Sequence, residues 1–412
     1  MFTLWHSLTP DGRLLFAARS LRLFAYGFLA VVLALYLESI GLSDRDVGLL
    51  LSLTLLGDTV ISLWITTTAD HWGRRRMLLT GALLMLFAGA LFAVTRRFEW
   101  LLVAGIVGVI SPSGKEVGPF LSIEQAALAQ IVPGDRRTDV FAWYNLAGSL
   151  TTALGAFCGG AVTQYMENSG VTGPDVYRPV VWGYALAGIL LAALFLWLTP
   201  AVEHPPRAAG DAPPQAARFG FGLHKSRGVV AKLSALFALD AFAGGFIIDS
   251  LAALWLVRRF EADPLVIGTV FFWTNLLGGL SGLAAAKLAR RFGLVNTMVF
   301  THLPSNVLLI LVPLMPNLWS AAAMLFARSC ISQMDVPTRQ AYTMAVVEPD
   351  ERSAASGVTT VARSLGASLS PLLVGPMLAN PALLGLPFFL AGGIKIVYDL
   401  LLYRQFVKVP ER

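Results

Sequence analysis

Twelve long apolar runs decide what this chain can become. They lie near residues 14–38, 46–69, 77–95, 99–131, 138–163, 180–200, 229–257, 264–289, 295–315, 318–347, 354–378 and 383–404. Each comes close to or exceeds the length of about 20 residues that carries a helix across the hydrocarbon of a bilayer. Composition points the same way: 14% of residues are Asp, Glu, Lys or Arg and 56% are hydrophobic, whereas a soluble domain carries about 25% charged residues. That is too little polar surface to cover a water-soluble globule, and too many aliphatic residues for a disordered chain. The expected fold is an all-α polytopic membrane protein with twelve transmembrane helices embedded in a lipid bilayer. The first run is too long for a signal-peptide core and no small-residue cleavage site follows it, so it is expected to stay as a span.

The formal charge of +6 does not mark a nucleic-acid partner, because the basic residues fall in short clusters between apolar runs rather than on one continuous face. With the N-terminus inside, eighteen Lys and Arg fall in inner segments, among them Arg74 to Arg76, Lys287, Arg290 and Arg291. Six fall outside: Arg45, Arg96, Arg97, Arg178, Arg258 and Arg259. Cytoplasmic loops collect basic residues, so both termini are expected on the cytoplasmic side of the cell's inner (plasma) membrane. Cys158 and Cys330 both sit inside apolar runs and form neither a disulfide framework nor a metal knuckle. No cofactor and no metal are expected.

Landmarks recur at a nearly constant offset. Gly27-Phe28 returns as Gly245-Phe246, Val47-Gly48 as Ile267-Gly268, Gly73 as Gly293, and Pro133/Arg136 as Pro349/Arg352. An ordered set of this kind points to an internal duplication: a six-helix half over 1–200, a Pro- and Ala-rich cytoplasmic linker over 201–228, and a second six-helix half over 229–412. A parallel repeat in the membrane is a transporter architecture, with the substrate site expected where the halves meet near the midplane.

The loop between the second and third runs reads Thr66-Thr67-Thr68-Ala69-Asp70-His71-Trp72-Gly73-Arg74-Arg75-Arg76-Met77-Leu78. It resembles the G-x-x-x-D-R-x-G-R-R-x-x-L signature of the major facilitator superfamily, with Asp70, Gly73, Arg74, Arg75 and Leu78 matching, Thr66 in place of the leading Gly and His71 in place of the first Arg. The second-half copy, Ala286 to Gly293, has Arg290 where Asp would stand. Gly155-Ala156-Phe157-Cys158-Gly159-Gly160 is similar to that family's antiporter motif, with Ala for Pro. The arginine that many proton-coupled members carry in span four has no counterpart between Leu101 and Val109. The resemblance implies the twelve-helix, two-half fold, transport by alternating access, and a role for Asp70, Gly73, Arg74 and Arg75 in stabilising one conformation of the cycle. Taken alone, three arginines in a short inner loop also hold topology, and small residues in span five also serve helix packing.

An ionisable group at bilayer depth costs at least about 2.5–3.5 kcal/mol on insertion scales, so each one is a functional candidate. The deep set is Arg22, Asp58, Lys115, Glu116, Glu124, Asp240, Asp249, Arg328, Asp335, Arg339, Arg363, Lys395 and Asp399. Span four carries Pro112, Gly114, Gly118 and Pro119 at mid-depth, which should break it; span ten carries Arg328, Asp335, Pro337 and Arg339. Paired broken segments in equivalent places of two repeats point to a binding site. If span ten continues through Pro337, positions 328, 335 and 339 share one helical face.

Lys115, Glu116, Arg328, Asp335 and Arg339 are therefore expected to contact substrate, with Asn145, Trp273 and Asn275 completing a polar-aromatic lining to which Trp143 and Tyr144 also belong. Asp58, Glu124 and Asp240 are candidates for carrying a coupling proton, with Asp58 and Glu124 preferred. Asp240 and Asp249 are half a turn out of phase and cannot both point inward unless Gly244-Gly245 unwinds the span. Arg19 and Arg22 are expected to snorkel to the inner surface, Lys395 and Asp399 to form a structural pair, and His302 to be a hydrogen-bonded interior histidine.

The function expected is secondary active transport of a small polar or charged organic molecule by a monomer, through proton-coupled efflux. The second reading is proton-coupled uptake of an organic acid or amino-acid-like solute. An enzyme is not expected: of the five histidines only His302 is deep, and H-E-x-x-H, G-x-S-x-G and phosphate-loop patterns do not occur.

Overall fold

The computed structural model describes residues 8–116, 118–133, 136–203 and 223–407, the side chains of 70, 71 and 138 excepted. Among these residues there are fifteen α-helices and no strand. They are α1 Pro10–Ser39, α2 Asp44–Trp72, α3 Arg74–Val94, α4 Phe98–Val107, α5 Phe120–Ile131, α6 Arg137–Asn168, α7 Arg178–Leu196, α8 Arg227–Gly245, α9 Asp249–Phe260, α10 Pro264–Phe292, α11 Leu294–Leu311, α12 Leu318–Ser332, α13 Asp335–Ala345, α14 Arg352–Leu378 and α15 Leu386–Phe406.

Fifteen helices make twelve spans because three spans are interrupted: α4 and α5 share span four, α8 and α9 span seven, and α12 and α13 span ten. Ten segments are long and apolar enough to cross a bilayer, span seven included as Arg227–Phe260. The two that fall short are the ones split most deeply, spans four and ten. Capping follows ordinary chemistry: Thr9 accepts from the Gly12 amide, Ser43 from Asp46 and Asn317 from Ser320, each satisfying a donor that the first turn leaves unpaired.

Contacts divide the chain into two compact units. The first holds Met1–His204, Ile247–Gly279 and Pro371–Leu384; the second holds Pro205–Phe246, Leu280–Ser370 and Gly385–Arg412. These units are groups by contact and do not coincide with the halves 1–200 and 229–412 expected from the sequence. Most of the linker, residues 204–222, lies outside the described residues.

In the first unit α6 lies directly on α1. A Cβ added at Gly155 would sit 2.0 Å from the Phe24 carbonyl oxygen, and one at Gly159 2.3 Å from that of Phe28. The glycines of the Gly155 to Gly160 segment thus form a packing surface, since any side chain there meets backbone that cannot move aside. Gly155→Leu is expected to lose about 1–3 kcal/mol or more to overpacking, checked as a lower melting temperature of the purified protein in detergent. In the second unit Val230, Leu233, Phe237, Met298, Tyr342, Tyr398, Leu402 and Phe406 pack into one core on α8, α11, α13 and α15.

Candidate functional site

Span four breaks where its prolines and glycines predict. Between Gly108 and Pro119 the described residues are irregular, with Gly114 and Gly118 at φ +63° and +81°, a region that glycine enters without steric cost. Irregular backbone at this depth needs partners inside the protein, and it has them. Tyr184 donates its hydroxyl to the Val109 carbonyl. Ser250 donates its amide (3.0 Å) and its hydroxyl (2.7 Å) to the Pro112 carbonyl, and the same hydroxyl reaches the Ala30 carbonyl at 2.8 Å. Ser111 donates to the Lys115 carbonyl at 2.7 Å.

The break delivers carboxylates to α1. Arg22 grips Glu124 with two hydrogen bonds, 2.6 and 2.8 Å, and donates Nε to Glu116 at 2.9 Å. Arg19 pairs with Glu116 at 3.1 Å, donates to Asn145 Oδ1 at 3.3 Å and lies 4.4 Å above the Tyr144 ring. Tyr144 in turn donates to Glu124 at 2.5 Å, and Phe120 stacks under Arg22 at 4.5 Å. Arg22 and Glu124 are completely buried. A two-pronged guanidinium–carboxylate pair is the strongest form of such a contact and fixes both side chains. The expectation that Arg19 and Arg22 snorkel to the surface is therefore corrected: both bend inward because Glu116 and Glu124 supply charges that lipid headgroups would otherwise provide.

Asp58, on α2, stands apart. It is buried, with the Gly118 amide and the Ser62 hydroxyl (3.4 Å) as its hydrogen-bond donors. Among the described residues no Lys or Arg lies within ion-pair distance of it.

The second unit holds the second network. Asp240 on α8 accepts from Lys395 at 2.5 Å, Arg339 at 3.2 Å and Arg363 at 3.3 Å. Arg339 also binds Asp335 at 2.9 Å and lies 5.5 Å from the Phe237 ring. Asp399 accepts from Asn306 at 2.9 Å and stands 2.8 Å from His302 Nδ1, while His302 Nε2 is 3.9 Å from Asp240. Arg363 is the most accessible member, its side chain 33% exposed.

Span ten breaks at Gln333-Met334, ahead of Pro337, and not at the proline itself. Pro337 occupies the first turn of α13, where its missing N–H is one that the helix would leave unpaired anyway. The single face expected for Arg328, Asp335 and Arg339 is corrected accordingly: Arg328 lies on α12, half-buried, and only Asp335 and Arg339 share a helix. The break in span seven has a similar result. α8 ends at Gly245 and α9 begins at Asp249, so Asp240 joins the second unit's network while Asp249 lies against Gly114 in the first.

Several expected contacts are not drawn together. Lys115 is exposed on the broken segment, and Trp273, 45% exposed, makes its ring contact with its neighbour Phe272. Asn275 donates to the Phe271 carbonyl of its own helix at 2.9 Å. The Asp70 side chain lies outside the described residues. Gly73, at φ +99°, ends α2 and opens α3, whose first amides are taken by Glu203: Arg74 N–H to Oε2 at 2.6 Å and Arg75 N–H to Oε1 at 3.2 Å. The Arg74 side chain donates to Gln130 at 2.9 Å and Arg75 to the Phe195 carbonyl at 3.1 Å.

A signal for Arg22 was present in the sequence. Arg22 and Asp240 are 218 residues apart, the offset of Gly27 and Gly245, and Glu124 and Arg339 are 215 apart. At the offset of the expected repeat the two buried pairs have their charges exchanged: arginine on α1 with glutamate on α5, then aspartate on α8 with arginine on α13. His302 and Asn306, like Lys395 and Asp399, show the four-residue spacing of neighbours on one helix face.

The family model described as Major Facilitator Superfamily matches residues 15–371. The uncharacterized membrane protein YJR124C of Saccharomyces cerevisiae is 30% identical, over 100% of this chain and 97% of its own. The quinolone resistance protein NorA of Staphylococcus aureus is 20% identical, over 90% of this chain and 92% of its own. A crystal structure of a bacterial homolog to the human lysosomal transporter Spinster, inward-facing and unoccupied, matches with a TM-score of 0.73 at 17% identity, covering 98% of this chain and 99% of that one.

Proposed function

The chain belongs to the major facilitator superfamily, and from that premise we propose that it exports a small polar or charged organic molecule in exchange for protons, working as a monomer by alternating access of its two sequence halves, 1–200 and 229–412. As a member of that superfamily it is a multi-pass membrane protein and a secondary transporter of small molecules, not an enzyme. The observation that carries the finer reading is the pair of buried ion networks, each tied to a broken span. Charges are costly at this depth, and the networks place them on the discontinuous helices on which transporters build their sites. In the second unit Arg363, the most accessible member of its network, is assigned the first contact with a carboxylate or similar group, which suits an anionic or zwitterionic substrate.

Asp58 is assigned the coupling proton. A carboxylate buried without a cation is the one for which gaining and losing a proton changes local charge most, because nothing nearby compensates it. Glu124 and Asp240 each hold arginine, and are assigned to organising the networks. The relative named for quinolone resistance supports export and suggests a zwitterionic fluoroquinolone as probe. The excess of Lys and Arg in inner segments supports cytoplasmic termini in the plasma membrane.

The test uses proteoliposomes given a pH gradient and a fluorescent fluoroquinolone, with an organic anion and an amino acid run alongside. Gradient-driven flux of a probe, abolished by a protonophore and reduced about 100-fold in Asp58→Asn, is the expected result. Flux indifferent to the gradient would remove the proton from the mechanism, and accumulation driven with the proton would replace export by uptake.

A further inference from the structure

The His302–Asp399 pair in the second unit has no assignment in the reading above. His302 on α11 is buried, its Nδ1 2.8 Å from Asp399 Oδ1 and 3.2 Å from Asn306 Nδ2. Asn306 also donates to Asp399 Oδ2 at 2.9 Å. Two lone pairs cannot face each other at 2.8 Å, so a proton lies between His302 and Asp399. On the other side of the ring Nε2 faces Asp240 at 3.9 Å, a distance that closes to a hydrogen bond with a small movement once Nε2 also carries a proton. The imidazole thus stands between two carboxylates, one shared with three cations and one not. Among the described residues Asp399 has His302 as its only ion-pair partner.

Two of the helices packed on α11, α13 and α15, contribute to this balance. From α15 come Lys395, Tyr398 and Asp399, and from α13 Asp335 and Arg339. Asp240 on α8 and Arg363 on α14 complete the cluster, and α12 carries a single charged residue, Arg328. Three carboxylates face Lys395, Arg339 and Arg363, so with a neutral imidazole the cluster sums to zero, and with an imidazolium to +1. Both states lie within one charge of neutrality, which is the condition for a buried group to change protonation without a large desolvation penalty.

We propose that His302 and Asp399 form a second proton-binding site, which takes up and releases one proton on the imidazole and passes the change to Asp240 through Nε2. The proposal extends the proton-coupled reading but is independent of Asp58, and its test requires no substrate. Full-length protein labelled with 15N-histidine and reconstituted in lipid is followed by solid-state NMR from about pH 4.5 to about pH 9.5, the range in which imidazole changes charge. The His302 signals are those lost in His302→Gln; should that variant not fold, they are isolated by replacing His6, His71, His204 and His224 with Gln.

Interconversion of neutral and imidazolium signatures is expected, with its midpoint moved by about 1 pH unit or more in Asp399→Asn, the size of effect that a neighbouring charge exerts. A single unchanging neutral tautomer across the range would overturn the proposal, and so would a midpoint indifferent to Asp399→Asn. Failure of gradient-driven flux with this titration intact would instead count against the transport reading alone.

Discussion

Arg22→Gln is expected to cost about 3–5 kcal/mol, because it leaves Glu124 buried with its guanidinium partner gone. Glu124 is fully buried and takes two of its three hydrogen bonds from Arg22; only Tyr144 would remain, and one phenol does not compensate a carboxylate. The loss should appear as reduced monodisperse yield and a lower melting temperature. The double variant Arg22→Gln/Glu124→Gln removes both charges and leaves amides that bond to each other and to Tyr144, so most of the stability should return. Transport should not return, because the first unit's network has lost the guanidinium that holds Glu116 in place. Wild-type flux in the double variant would reduce the pair to a structural role.

Asp240→Asn should have an effect of similar size by the opposite route. Its carboxylate is the shared partner of Lys395, Arg339 and Arg363. Arg339 keeps Asp335 after the substitution, but Lys395 is left as a buried ammonium beside two arginines. A cost of about 3–5 kcal/mol follows, with flux falling by about 100-fold or more if the cluster serves transport. Removing the orphaned charge as well, in Asp240→Asn/Lys395→Met, should restore the melting temperature while leaving flux low. An Asp240→Asn protein as stable as the wild type would mean that these contacts do not offset one another as the distances imply.

The two networks were unequally legible in the sequence. The break in span four was readable because Pro112, Gly114, Gly118 and Pro119 act locally, through φ restriction and loss of an amide. Span ten reads as interrupted without a position for the break, which lies at Gln333-Met334, because a proline within the first turn costs nothing and does not mark it. Arg22 was read as a surface anchor because a long basic side chain near a membrane boundary usually has that choice; Glu116 and Glu124, nearly a hundred residues away, removed it. Asn275 shows the converse, a polar side chain at depth that finds its partner four residues back on its own helix.

The sequence by itself determined the class: twelve apolar runs in a chain with 14% charge can be satisfied only by membrane helices, since hydrocarbon offers no partner for a peptide group. It also carried the resemblance to the family, because glycines, the loop from Asp70 to Leu78 and basic clusters are local features that survive without knowledge of contacts. Tertiary structure alone decided which charges meet. Arg22 reaches Glu124, Lys395 reaches Asp240 and His302 reaches Asp399 across about a hundred residues or more of chain, and the physical reason is that a buried charge takes whichever counter-charge packing brings within 3 Å or so, a matter of helix position that spacing along one helix does not encode.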